Sequence, residues 1–178
     1  GITWPTAFGG RGGTPAQQIV FNQELARFDA TSGFLNAAIA LVGPTLMQHG
    51  TPAQQQRHLG PLLRGDESWC QLFSEPGAGS DLASLATRAV LDGDEWVVNG
   101  QKEWTSSAQH AAFGILIART DTEVPKHDGI TYFVVDMASP GIEVRPLVQA
   151  QGVAHFNEVY LSDVRIPAAN VVGEVGNG

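Results

Sequence analysis

Hydrophobic and polar positions change period part-way along the chain. Leu35, Ala38, Ile39, Val42 and Leu46 recur at the spacing of one helical face, so this stretch needs an apolar partner. Thr14-Pro15 and Thr51-Pro52 each set a capping hydroxyl before a proline at the first helical position, where the missing N–H costs nothing. Helices are therefore predicted over 15–30, 34–48 and 52–64, the second kinked at Gly43-Pro44 and the third ended by Gly65. After Asp66 the period shortens. Arg88 to Leu91, Trp96 to Val98 and Lys102 to Thr105 are separated by Asp92-Gly93 and Asn99-Gly100, dipeptides that suit tight hairpins, and they predict a three-stranded meander. Further strands are predicted at 68–74, 112–119, 130–136, 142–148 and 156–165. Many short strands with regular turns indicate a barrel or sandwich.

Composition shifts at the same point. Residues 1–66 are rich in Ala, Gln and Leu and carry four basic and three acidic side chains; residues 67–178 favour Val, Ile, Thr and aromatics and carry six basic and fifteen acidic. A domain boundary near Asp66 follows, with helices before it and strands after. A chain of 178 residues can bury roughly 70% of the surface it exposes when unfolded, so one or two domains with real cores are expected. The formal net charge of −8 opposes binding to a phosphate backbone, so no nucleic-acid partner is expected. A single Cys excludes an internal disulfide framework and any multi-cysteine metal site, and it favours a reducing compartment. No apolar run approaches the roughly 20 residues that cross a bilayer, and no basic-then-apolar leader opens the chain. The expected location is the cytoplasm, without a membrane span. A start at Gly1 and a linker-like end at Gly176-Asn177-Gly178 read as a segment clipped at both ends.

The candidate chemistry lies in two stretches. Ser74-Glu75-Pro76-Gly77-Ala78-Gly79-Ser80-Asp81 follows the predicted strand Trp69 to Phe73. Its glycines allow positive φ and can turn backbone N–H groups toward one point, where the Ser80 hydroxyl adds a donor; this suits an anion. No Lys-Ser or Lys-Thr follows, so it is not a nucleoside-triphosphate loop. Leu82 stands where a dinucleotide fingerprint needs its third glycine. Taken alone, Gly-Ala-Gly equally suits a tight turn between strands. The second stretch, Asn99-Gly100-Gln101-Lys102-Glu103-Trp104-Thr105-Ser106, could present a flat ring and hydroxyls to a planar heteroaromatic ligand, or form an ordinary hairpin with a core Trp. The five histidines show no ligand spacing, so no metal is expected. Cys70 reads as a buried small hydrophobe.

Together the two stretches resemble the acyl-CoA dehydrogenase family of flavoproteins. The resemblance extends through Gly9-Gly10-Arg11-Gly12, Val42-Gly43-Pro44-Thr45, Phe133-Val134-Val135-Asp136 and Val164-Arg165-Ile166-Pro167. It implies an α+β fold: part of an N-terminal helical domain at 1–66, then an antiparallel, β-barrel-like middle domain at 67–178 that binds FAD and acyl-CoA. No counterpart of the family's C-terminal four-helix bundle is expected within these residues. By resemblance, Gln71, Leu72, Phe73 and Ser74 line the flavin ring, while Gly79 and Ser80 meet the FAD pyrophosphate, Ser80 also lying near the acyl-CoA. Trp104, Thr105 and Ser106 cover the flavin face away from substrate, and Ser106 donates toward the hydride-accepting nitrogen. Many relatives carry an aromatic residue where Gln71 stands and Thr in place of Ser106.

The implied activity is desaturation of a fatty or related acyl-CoA between its α and β carbons. A carboxylate takes the α proton while the β hydrogen leaves as hydride to FAD, and an electron-transfer flavoprotein then takes the electrons. The family's catalytic glutamate lies in the bundle, so no catalytic residue is assigned to this segment, which is expected to be inactive and to bind FAD poorly alone. A homo-tetramer or hetero-oligomer is expected at full length. Glu75 is expected to orient its loop, and Glu103, alternating with Trp104, to face the other side of its strand. The alternatives are a non-catalytic flavin-binding partner subunit, or an acyl-CoA or nitroalkane oxidase on the same scaffold.

Overall fold

Thr14 and Thr51 cap their helices reciprocally. Each hydroxyl accepts from the N–H of the glutamine three residues on, and the side chains of Gln17 and Gln54 accept from the caps' own N–H groups. The computed structural model describes residues 1–28 and 37–178, which divide into two units, Gly1–Glu67 and Ser68–Gly178. The first unit holds α1 (Pro15–Leu25), α2 (Gly43–His49) and α3 (Pro52–Arg64). Leu35 and the start of the second predicted helix lie outside the described residues, as do the last two positions of the first. α1 stops at Leu25, five residues short of the predicted end.

The expected kink at Gly43-Pro44 takes the form of a π-helical turn over Ala38–Val42. Pro44 has no N–H to offer the carbonyl four residues back, and its ring crowds that carbonyl; a widened turn relieves both. Ala38, Val42 and Leu46 are buried, as their spacing predicts. Gly65 ends α3 at φ 77, a left-handed conformation that glycine adopts freely. Among the described residues no helix is long and apolar enough to cross a membrane.

The second unit is a sheet of eight strands: β1 (Trp69–Leu72), β2 (Arg88–Asp92), β3 (Glu95–Ser106), β4 (Phe113–Arg119), β5 (Ile130–Asp136), β6 (Ile142–Leu147), β7 (Phe156–Pro167) and β8 (Val171–Val172). Their order is β6-β7-β3-β2-β4-β5-β8, with β1 also on β4. Pairing is antiparallel, β4 with β5 included, except where β1 runs parallel to β4 and where β2 meets β4 in parallel through Arg88 and Arg119. Alternate residues of β3, β4, β5 and β7 fill the core, which includes Val98, Leu116, Phe133, Val159 and Val164. The chain is thus α+β.

One predicted turn is not a turn. Asp92-Gly93 does join β2 to β3, with Gly93 at φ 67, but β3 runs straight through Asn99-Gly100. There Ser162 and Asp163 of β7 oppose the single residue Asn99, a bulge. The Asn99 amide donates to Asp163 Oδ1 at 3.0 Å, and its oxygen accepts from the Asp163 N–H at 2.9 Å. Gly100 is required by space, since a Cβ there would run into Thr87.

A second bulge lies nearer the end of β3. Glu103 and Trp104 together oppose Glu158 of β7, because Lys102 pairs with Val159 and Thr105 with Asn157. The extra residue reverses the alternation beyond it. Trp104 and Ser106 therefore face outward and Thr105 inward.

Candidate functional site

The glycine stretch leaves β1 through a tight turn. Glu75 N–H donates to the Ala78 carbonyl at 2.9 Å and Ala78 N–H to the Glu75 carbonyl at 3.0 Å, with Pro76 at the turn's second position. The expectation of positive φ at Gly77 and Gly79 is corrected here: neither has it. A Cβ on either would meet no described atom within 4 Å. Neither backbone strain nor packing among the described residues therefore calls for glycine. What a missing side chain does provide is close access to backbone N–H groups from outside.

Ser80 is exposed beside these glycines and borders a hollow of about 370 Å³, lined also by Asp81, Leu82, Ile117, His127 and Ile130. Lys126 clasps the Asp81 carboxylate at 2.9 and 2.8 Å, and Ser84 Oγ donates to it at 2.6 Å. Hydrogen bonding from Lys126, then from Ser84, holds the Asp81 carboxyl below its ordinary value.

A buried ion pair joins the two motifs. Lys102, fully buried on β3, donates to Glu75 Oε1 at 2.7 Å and to the Phe73 carbonyl at 3.1 Å. Glu75 also accepts from the N–H groups of Ala86 at 2.6 Å and Thr87 at 3.0 Å. Burial works to raise the Glu75 carboxyl, but its bonds to Lys102, Thr87 and Ala86 outweigh it and the carboxyl sits below its ordinary 4.5. Burial draws the Lys102 ammonium down from its ordinary 10.5, against the pull of Glu75. Next to this pair the Glu103 N–H donates to the Ser74 carbonyl at 2.8 Å. The loop after β1 and the end of β3 are thereby held as one piece.

The other sequence-predicted residues divide by accessibility. Trp104 is 56% exposed and meets Phe156 edge-on at 5.8 Å. Ser106 and Gln71 are exposed, and Ser74 and Phe73 half-buried, the latter edge-on to Tyr132 at 6.0 Å. Leu72 and Thr105 are buried in the core, so only their backbone can reach a ligand outside. The expected alternation of Glu103 with Trp104 breaks at the bulge, where Glu103 is half-buried. Cys70 is buried, and burial pushes its thiol up to about 12, which suits a packing role. Sequence reasoning missed Lys102 as a buried charge. It also missed Asn157, whose amide donates to the Thr105 carbonyl at 3.0 Å and which is fully buried.

A family model described as the acyl-CoA dehydrogenase middle domain matches residues 70–164, and one described as the acyl-CoA dehydrogenase N-terminal domain matches residues 1–66. The chain belongs to the acyl-CoA dehydrogenase family. Members of this family are flavoproteins. This acyl-CoA dehydrogenase chain is 51% identical to acyl-CoA dehydrogenase FadE34 of Mycobacterium tuberculosis, over 98% of its own length and 24% of that protein's. It is 41% identical to the solved Tcur3481-Tcur3483 steroid ACAD, with TM-score 0.93, covering all of this chain and 46% of that one. It is also 41% identical to a chain of the ChsE4-ChsE5 complex from Mycobacterium tuberculosis, with TM-score 0.89, covering 99% of this chain and 45% of that one. The chain thus spans less than half the length of each of these relatives.

Proposed function

We propose that the 67–178 part of this chain holds FAD, and that the whole protein introduces a double bond between the α and β carbons of an acyl-CoA thioester. One observation carries the reading. An open glycine bend and an exposed indole, belonging to separate motifs, are tied together by the buried Lys102–Glu75 pair. The donors suit the cofactor: Gly79 N–H and Ser80 Oγ for a pyrophosphate, Ser106 Oγ for a flavin edge, and the Trp104 ring for a planar face. Gln71 and Phe73 border the ring, Ser74 offers its hydroxyl, and Leu72 and Thr105 offer main-chain groups. Ser80 also lies toward the acyl-CoA. When bound, the flavin supplies a hydride acceptor.

The chain's own contribution is to orient that ring and to keep water from one face with Trp104. Glu75 is unsuited to take the α proton, because its oxygens are engaged by Lys102, Ala86 and Thr87. We assign the base to the part of the protein beyond this segment. An electron-transfer flavoprotein is the proposed electron acceptor, and likeness to a steroid ACAD favours a steroid-derived thioester as substrate. In the full-length protein, anaerobic addition of such a thioester should bleach the oxidised-flavin absorption. A ferricenium dye, but not dioxygen, should restore it. No bleaching by any acyl-CoA overturns the reading, and rapid recovery in dioxygen selects an oxidase instead.

Likeness to the two-component ChsE4-ChsE5 complex supports a second reading, in which this chain is a flavin-binding subunit beside a catalytic sister. A carboxylate at the base position of the full-length protein decides between them. Under either reading Ser80→Ala removes a hydrogen bond to a charged group, worth about 1.5–3 kcal/mol. FAD affinity is expected to fall about tenfold or more by flavin titration of the apoprotein.

A further inference from the structure

The second β3 bulge contains a backbone outlier. Trp104 has φ 60, a left-handed conformation that a bulky L-residue adopts only under constraint, and Ser107 has φ 59 three residues on. From Trp104 to Ser106 the chain turns two side chains out and one in. Such a conformation persists only where the surroundings over-determine it, and at functional sites the constraint is part of the design.

The constraint comes from the start of β7. Asn157, fully buried, donates through its amide to the Thr105 carbonyl at 3.0 Å and to Gln109 Oε1 at 2.6 Å. Gln109 in turn donates to the Ala154 carbonyl at 3.2 Å, and Ser107 N–H donates to the His155 carbonyl at 3.0 Å. Phe156 lies against the Trp104 ring. The Asn157 oxygen and the Thr105 hydroxyl are buried without a hydrogen-bond partner among the described residues. An unsatisfied buried acceptor costs stability, so a side chain chosen for stability alone would be apolar here. What Asn157 adds is its two N–H donors, aimed at the carbonyl between Trp104 and Ser106 and at the glutamine that steadies it.

We propose that Asn157 is a positioning residue that fixes Trp104 and Ser106 toward the flavin by holding the Thr105 carbonyl, a role that rests on the functional reading above. In the full-length protein Asn157→Leu is expected to weaken FAD about tenfold and to shift the bound flavin's absorption band. In a background of Trp104→Ala and Ser106→Ala the same substitution is expected to change FAD affinity less than about twofold, because the side chains it positions are gone. An equal loss in both backgrounds overturns the proposal and leaves Asn157 a packing residue. Should Asn157→Leu not fold, Gln109→Ala at the exposed prop carries the same comparison, with an expected loss of about threefold. Full-length wild-type protein that takes up no FAD overturns the functional reading itself, a result distinct from equal losses in two flavin-binding backgrounds.

Discussion

Replacing Lys102 by Met is expected to lower the stability of the β unit by about 3–5 kcal/mol, read from the midpoint of chemical denaturation. The size follows from what is left behind. Glu75 keeps two backbone N–H donors but loses its counter-charge, and the Phe73 carbonyl loses the Lys102 donor. A buried ion pair contributes little net stability against an apolar replacement of both members, whereas removing one strands the other in a low dielectric. The pH dependence should change sign as well. In the wild type the Glu75 carboxyl is held below its ordinary 4.5, so its contribution is full above that value and is lost as pH falls through the lowered folded value. Without Lys102, burial prevails and the folded value rises, so the variant should gain stability as pH falls toward the ordinary carboxylate range. A midpoint unchanged from the wild type, with the same acid response, would show that the pair does not hold the two motifs together.

How much of this was legible in the sequence depended on how local its cause is. Thr14-Pro15, Thr51-Pro52 and Gly65 act through neighbours within one turn, and the helix ends they mark are where they should be. The β5 strand, rich in β-branched and aromatic residues, has the predicted bounds 130–136. Asn99-Gly100 misled because the same dipeptide serves two structures. Its small residue and local amide suit a hairpin, but here Asp163, far along the chain, pairs with the amide at a bulge, and Thr87 lies so close that only a glycine fits. Lys102 could have been found. The alternation that puts Trp96 and Val98 inside puts Lys102 inside too, and a buried ammonium needs an acid such as the nearby motif's Glu75. The outward turn of Trp104 could not have been found from alternation, because strict period two would place its ring with Lys102 in the core. A single extra residue opposite Glu158 decides it, and nothing in the local composition marks that residue.

The glycine bend supports the other large effect, and it separates binding from folding. Gly79→Val is expected to leave the thermal midpoint of the protein nearly unchanged while weakening FAD about a hundredfold, measured by flavin titration of the full-length apoprotein. Folding should tolerate the change because Gly79 has no positive φ and a Cβ there meets no described atom within 4 Å. Gly114 offers the contrast inside the same unit: its Cβ would press on Leu72, Val135 and Met137, so there the missing side chain serves packing. At Gly79 the space lies open beside an exposed Ser80 hydroxyl, and the branched side chain would stand in the path of the diphosphate proposed to meet the backbone N–H groups. Losing two hydrogen bonds to a charged group at about 1.5 kcal/mol each accounts for the hundredfold figure before any steric clash is added. A fall in thermal midpoint with FAD affinity intact would place the demand for glycine inside the fold. Loss of both together would leave the bend a structural turn, with no claim on a pyrophosphate.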